Sequence, residues 1–210
     1  ENIPRKHWIV SFGQLCRKQP LGAAGGLIVL VMLLATVFAN VLSPYDPEAA
    51  SFEHMLMPPS ADFWFGTDAF GRDILTRIIY GARTALFVGF TAALVGATAG
   101  LVLGVASAYY GGLFDLIFQR VVDVVMAFPL IVLALAIVAT LGASTVNVII
   151  AITIPFIPQC ARVVRSSALA IREIPYVDAA RALGFGHARI ILRHMVPNVM
   201  APYLIMLTTF

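Results

Sequence analysis

Residues 176–186 read YVDAARALGFG, and their types suit docking rather than bond chemistry. Pro175 fits the first position of a helix, where a missing N–H costs nothing. Asp178 favours the positive N-terminal end, and Gly184 fits a C-terminal stop. A helix there sets Tyr176, Ala179, Ala180 and Leu183 on one face at i, i+3, i+4 and i+7, an aromatic ring and a leucine flanking two small residues. After Gly184 and Gly186 a second amphipathic turn, HARIILRHM, carries Arg189 and Arg193 four apart, and VPN with Pro197 follows. A short surface helix of this kind either seats a protein partner or merely closes a loop.

Elsewhere the residues that do chemistry are sparse. No G-x-x-x-x-G-K-[ST] occurs and the only lysines are Lys6 and Lys18, so the chain has no P-loop for nucleotide. His7, His54, His187 and His194 are scattered without H-E-x-x-H, and no G-x-S-x-G elbow is present, so the chain carries no metal or catalytic constellation and reads as a non-enzyme. Cys16 and Cys160 lie far apart with no zinc-ligand spacing, which excludes a disulfide scaffold and leaves structural thiols. Arg120 and Asp123, three apart near one end of an apolar run, either satisfy one another or serve a substrate path.

The elements that must position the docking helix are apolar. Of 210 residues, 60% are hydrophobic and 12% charged, and the mean hydropathy is +0.91, outside the balance of a soluble domain. The net charge of +3 is too small to argue for nucleic acid. Residues 21–43 are uncharged and as a helix reach about 34 Å, enough to cross a bilayer; a signal peptide is the competing reading. Residues 84–114 are uncharged again and predict a helix over about 84–110, whose Gly96, Gly100 and Gly104 recur on one face and invite close helix packing. The 38 uncharged residues 124–161 would measure about 57 Å as one helix, too long for one crossing, so LGASTVN must divide them. Gly142 can end one helix and Ser144 or Thr145 can cap the next, predicting helices over about 116–141 and 145–165. The final apolar stretch, 197–210, reaches only about 21 Å and is expected to be incomplete.

Basic residues set the orientation. Arg5, Lys6, Arg17 and Lys18 precede the first helix, and Arg162, Arg165, Arg172, Arg181, Arg189 and Arg193 fall within 162–196. Both stretches should be cytoplasmic, and four crossings between them satisfy that parity. Residues 44–83, with six acids and three arginines, then form an external loop, in which Ile74, Leu75, Ile78 and Ile79 predict a short surface helix.

The stretch DAARALGFGHARIILRHMVPN resembles the EAA loop of ABC-transporter permease subunits: Ala179, Ala180, Gly184 and Pro197 match its alanines, glycine and proline, with Asp178 for the usual Glu. SPYDP, DFWFGTDAFGRDILTRIIYGAR, YYGG, QRVVDVVMAFP and ARVVRS extend the resemblance along nearly the whole chain, to the C-type permease of the dipeptide, oligopeptide and nickel importers. The implied fold is an all-α membrane protein, a multi-pass helical bundle of the type I importer permease kind with about five transmembrane segments. Residues 1–83 would be an N-terminal region with one membrane helix and an external loop, and 84–210 the permease domain with a cytoplasmic coupling loop at 166–196. The implied setting is a bacterial or archaeal plasma membrane with the N-terminus cytoplasmic. The implied partners are a second permease, two ATP-binding subunits that carry ATP and Mg, and an external solute-binding protein. This chain itself would hold no cofactor. Tyr176, Asp178, Ala179, Ala180, Leu183, Gly184, Arg189 and Pro197 would meet the ATPase, and the cargo would be a peptide, with nickel or glutathione as alternatives. From another class, a self-sufficient carrier or channel remains the rival reading.

Overall fold

A computed structural model describes residues 17–43 and 45–209. Arg5, Lys6, His7 and Cys16 lie outside the described residues. The described residues divide into two compact units, the first ending at Leu86 and the second beginning at Phe87.

In the first unit, helix α1 (Pro20–Val37) is followed by one more turn, Ala39–Leu42. The loop after it contains a 3-10 turn, Phe52–His54, and an isolated antiparallel bridge between Thr67 and Asp73. Two left-handed glycines fold this loop onto itself. A Cβ at Gly71 would lie 1.7 Å from the Ser51 carbonyl oxygen and one at Gly66 would lie 2.4 Å from that of Met57, so both positions require glycine. Asp68 staples the turn: Oδ1 accepts from the backbone N–H of Phe70 and Arg72 at 2.8 and 3.0 Å. Its Oδ2 accepts from Arg72 Nε at 2.9 Å and from the Arg77 guanidinium. Desolvation works to raise this carboxyl, but the two backbone donors and the Arg72 guanidinium outweigh it and hold Asp68 at about 2.

Helix α2 (Ile74–Tyr110) begins ten residues before the apolar run that announces it. The expected separate surface helix is therefore its opening turns. Asp73 Oδ2 accepts from Thr76 N and caps the start, while Gly81 costs only about 1 kcal/mol, too little to divide a long helix. Ser43 Oγ donates to Thr76 Oγ1 at 2.6 Å, and Tyr80 donates to Asn40 Oδ1 at 2.9 Å, joining α1 to α2.

In the second unit, α2 turns into α3 (Gly112–Met126) with Gly111 as the only residue between them; Gly111 and Gly112 both take positive φ. The single helix expected over 116–141 is instead two, α3 and α4 (Leu130–Leu141), bent by 86°. Pro129 is the cause, because it has no N–H to continue the ladder and pushes Phe128 away from helical geometry. Gly142, with φ of 89°, ends α4, and of the two candidate caps Ser144 serves, its hydroxyl accepting from Asn147 N at 3.2 Å.

Helix α5 (Thr145–Arg172) runs unbroken past Pro155 and Pro158 and carries Arg162, Arg165 and Arg172 within it, so the expected loop at 166–196 shortens. These arginines clamp neighbouring helices. Arg165 pairs with Asp115 at 2.6 Å, which Ser107 also bonds, and Arg172 donates to the Ala108 carbonyl at 2.8 Å. Asp123 pairs with Arg162 at 2.6 Å and not with Arg120, correcting the expected pair. After the short helix α6 (Pro175–Ala182), α7 (His187–Thr209) forms one 23-residue helical run. It starts ten residues before Pro197, so the expected short final segment gains enough length to cross a bilayer. A π turn at Ile191–Met195 and a 3-10 turn at Val196–Val199 absorb the proline.

Helices α2 and α5 meet along the glycine stripe. A Cβ on Gly96 would come within 2.5 Å of Phe156 Cδ1, on Gly100 within 2.6 Å of Cys160 Cβ, and on Gly104 within 2.6 Å of the Ala161 carbonyl oxygen. Cys160 is a free buried thiol that donates to the Ala97 carbonyl at 3.4 Å. Among the described residues four helices are long and apolar enough to span a membrane, five if α3 and α4 together make one span.

The Gly104 contact is against backbone, which cannot rotate away. Gly104→Val should lower the stability of the detergent-solubilised chain by about 1–3 kcal/mol, whereas Gly89→Val, with nothing within 4 Å, should leave the melting temperature nearly unchanged. The depressed Asp68 contributes stability that is complete above about pH 4 and is lost as pH falls through about 2. Hydrogen exchange in residues 66–77 should stay slow at pH 4 and quicken toward pH 2, and Asp68→Asn should remove that dependence.

Candidate functional site

The eight residues of α6 are fixed at both ends by their own sequence. Ile174 is the extended residue before Pro175 at the first helical position. Asp178 in the first turn accepts from Arg181 Nη1 at 2.9 Å, each charge placed against the helix end it stabilises. The C-terminus closes in a Schellman turn: Phe185 N donates to the Ala180 carbonyl at 3.1 Å and Gly184 N to that of Arg181 at 2.9 Å. Gly184 takes φ of 77°, which a side chain would strain.

With only two turns, α6 presents one face to the core and one outward. Val177 and Ala180, at 0% and 4% exposure, join the buried cluster that includes Ile190, Met195 and Val199 of α7. This corrects the expected docking face: Ala180 points into the protein, and the outward residues are Tyr176, Asp178, Ala179 and Leu183, the last 74% exposed. The reason lies in the core, since α5 and α7 present apolar surface on the side where the i, i+3 pair Val177 and Ala180 falls.

Polar contacts hold the helix to α7. Tyr176 donates to the His194 carbonyl at 3.1 Å and accepts from Asn198 Nδ2 at 3.0 Å, and the same amide donates to the His194 carbonyl at 2.7 Å. Thus Tyr176, although partly exposed, is a tether. The Arg181 guanidinium lies 5.4 Å from the centroid of Tyr109, whose hydroxyl meets His187 Nδ1 at 2.7 Å. Arg189 lies over Phe185 at 5.1 Å, and Phe185 stacks on His194. Pro197 is exposed and sits in the 3-10 turn of α7. Gly96, Gly100 and Gly104 stand apart from this site, in the α2–α5 contact.

Tyr109, His187, His194 and Asn198 are site residues that spacing alone does not reveal, because Tyr109 and His187 meet across 78 positions of sequence. Only the VPN signature marks Asn198 beforehand. Among the described residues no group of three His, Cys, Asp or Glu side chains could hold a metal ion. The arrangement is a short helix, begun by Pro175 and closed by a Schellman turn, that is held to two long helices on one side and leaves Ala179 and Leu183 outward on the other.

Residues 96–209 match the family described as binding-protein-dependent transport system inner membrane component. Residues 14–59 match the N-terminal TM domain of oligopeptide transport permease C. A putative peptide transport system permease protein of Brucella suis is 49% identical over 185 residues, covering 86% of this chain and 62% of that protein. A dipeptide transport system permease protein of Alkalihalophilus pseudofirmus is 42% identical, covering 96% and 66%. A glutathione transport system permease protein of Escherichia coli is 36% identical, covering 94% and 65%. The chain thus spans 62 to 66% of the length of these curated relatives.

The two faces of α6 can be separated by stability. Ala180→Leu overpacks the core and should cost about 1–3 kcal/mol in thermal unfolding of the chain alone; Leu183→Ser should change it by less than about 0.5 kcal/mol.

Proposed function

Because this chain belongs to the family of binding-protein-dependent transport system inner membrane components, we propose that it is a permease subunit of an ATP-driven importer of short peptides. The observation that carries this reading is α6, whose inner face is part of the core while Leu183 and Ala179 are left outward for a second protein. The names of the peptide and dipeptide permeases among its relatives support the cargo, and the glutathione permease belongs to the same chemical class, a short peptide.

In this reading two ATP-binding subunits hold ATP and Mg and carry out hydrolysis, a second permease completes the pathway, and an external solute-binding protein delivers the cargo. This chain does no bond chemistry. One ATP-binding subunit seats α6, with Leu183 as the apolar knob, Ala179 permitting close approach, and Asp178 and Arg189 as flanking charges. Gly184 and the tether from Tyr176 to α7 make α6 a firm elbow rather than a flexible loop. When the ATPase pair closes, displacement of α6 passes to α5 through the two residues Glu173 and Ile174. It passes to α7 through Val177, Ala180 and Tyr176. Arg172, bonded to the Ala108 carbonyl, extends the linkage to α2. The N-terminus and α6 face the cytoplasm of a prokaryotic cell, the side where the ATP is.

The test uses the intact transporter in proteoliposomes. Peptide should accumulate only with hydrolysable ATP, and Leu183→Arg should reduce uptake at least tenfold and release the ATP-binding subunit during purification, leaving the melting temperature of the chain unchanged. Equal uptake with a non-hydrolysable analogue, or by the Leu183→Arg protein, would overturn the proposal.

A further inference from the structure

The first unit contains a feature that transport coupling does not use. Asp73 is 7% exposed. One carboxylate oxygen, Oδ2, accepts from Thr76 N at 2.8 Å and Thr76 Oγ1 at 2.6 Å. The other, Oδ1, is buried with no donor. Among the described residues no ion pair includes Asp73. A buried carboxylate served on one oxygen alone is costly unless a further donor or positive charge meets the second.

Asp73 lines a cavity of about 230 Å³ together with Ser43, Tyr45, Asp62, Trp64 and Thr76. Two carboxylates and two aromatic side chains border it, and among the described residues no Lys, Arg or His does. The chemistry selects a cation. Calcium takes six to eight oxygen ligands and structural zinc four protein ligands, and among the described residues no group of three or more His, Cys, Asp or Glu could hold a metal ion. A quaternary ammonium has no N–H to give Oδ1. A primary ammonium brings three donors, and its charge is attracted to aromatic faces.

The depth of the cavity follows from its neighbours. Ser43 comes directly after the turn that ends at Leu42, and Asp73 directly precedes Ile74 at the start of α2. α1 qualifies as a membrane span, and the uncharged run 21–43 ends at Ser43, so the cavity beside Ser43 falls at the end of that span, where headgroups and interfacial Trp and Tyr reside. We propose that this cavity, between the end of α1 and the start of α2, binds a primary ammonium group on Asp73 at headgroup depth. Two sources share that chemistry: the headgroup of phosphatidylethanolamine and the amino terminus of a free peptide.

The intact protein, purified and placed in phosphatidylglycerol nanodiscs, is doped with a small fraction of phosphatidylethanolamine, N-acetylated phosphatidylethanolamine or phosphatidylcholine, and bound lipid is read by native mass spectrometry. Phosphatidylethanolamine should be retained and the other two should not. Asp73→Asn should lower retention about tenfold, the loss that follows when a buried charge-assisted contact goes. Asn still caps a helix, so α2 should keep its start. Trp64→Ala, which touches no cap, should lower retention several-fold. If a dipeptide displaces the bound lipid and its N-acetylated form does not, the ammonium site stands and the peptide is its source. Equal retention of phosphatidylcholine or of the acetylated lipid, unchanged retention by Asp73→Asn, or displacement by magnesium or calcium would overturn the proposal.

Discussion

Inside a bilayer an apolar side chain gains little by leaving lipid for protein, so helices there hold together through close packing and the few polar bonds they can make. The contact between α2 and α5 meets that requirement by omission of side chains. At Gly96, Gly100 and Gly104 a Cβ would collide with Phe156, Cys160 and the Ala161 carbonyl, and the approach this allows lets Ala97, Leu101 and Val105 of α2 share one core with Val164 and Ala168 of α5. Dispersion between such surfaces is small per atom pair and large in sum. The arginines of α5 add direction: Arg165 to Asp115, Arg162 to Asp123 and Arg172 to Ala108 all bind across helices.

That packed pair is the base on which α6 rests. The same continuous core extends through Val177 and Ala180 to Ile190, Met195 and Val199, so α6 is the cytoplasm-facing end of the core in the proposed orientation rather than an appendage. Its stiffness has separate sources at each end, a proline start and a Schellman stop, with Tyr176 bonded across to α7 between them. A helix of only eight residues has little stability of its own. Here packing and caps supply what length does not.

How far the sequence could be read depended on the range of the interaction in question. The break at Gly142 and Ser144 and the stop at Gly184 are local, decided by backbone geometry and one hydroxyl, and residue type reveals them. The membrane helices themselves follow from apolar run lengths. The partner of Asp123 does not: Arg120 is near in sequence, yet Arg162 on α5 reaches it because helix packing brings the two together. Periodicity likewise grouped Tyr176, Ala179, Ala180 and Leu183, but in two helical turns the buried stripe is set by where the core lies, and Val177 with Ala180 took that place. Charge placement hid the start of α2, since Arg77 and Arg83 interrupt the apolar run without interrupting the backbone ladder. The bend between α3 and α4 was signalled by Pro129, a residue the apolar count passes over.

That 86° bend has a bearing on solvation. The N–H groups of Leu130, Ile131 and Val132 open a new helix and find no acceptor one turn back, the first such bond being Leu133 to the Pro129 carbonyl. Neither half, at fifteen and twelve residues, crosses a hydrocarbon layer by itself. If the corner lies within the bilayer, acyl chains are the one environment that leaves those three amides thirsty, so the corner must turn toward water or toward another polypeptide.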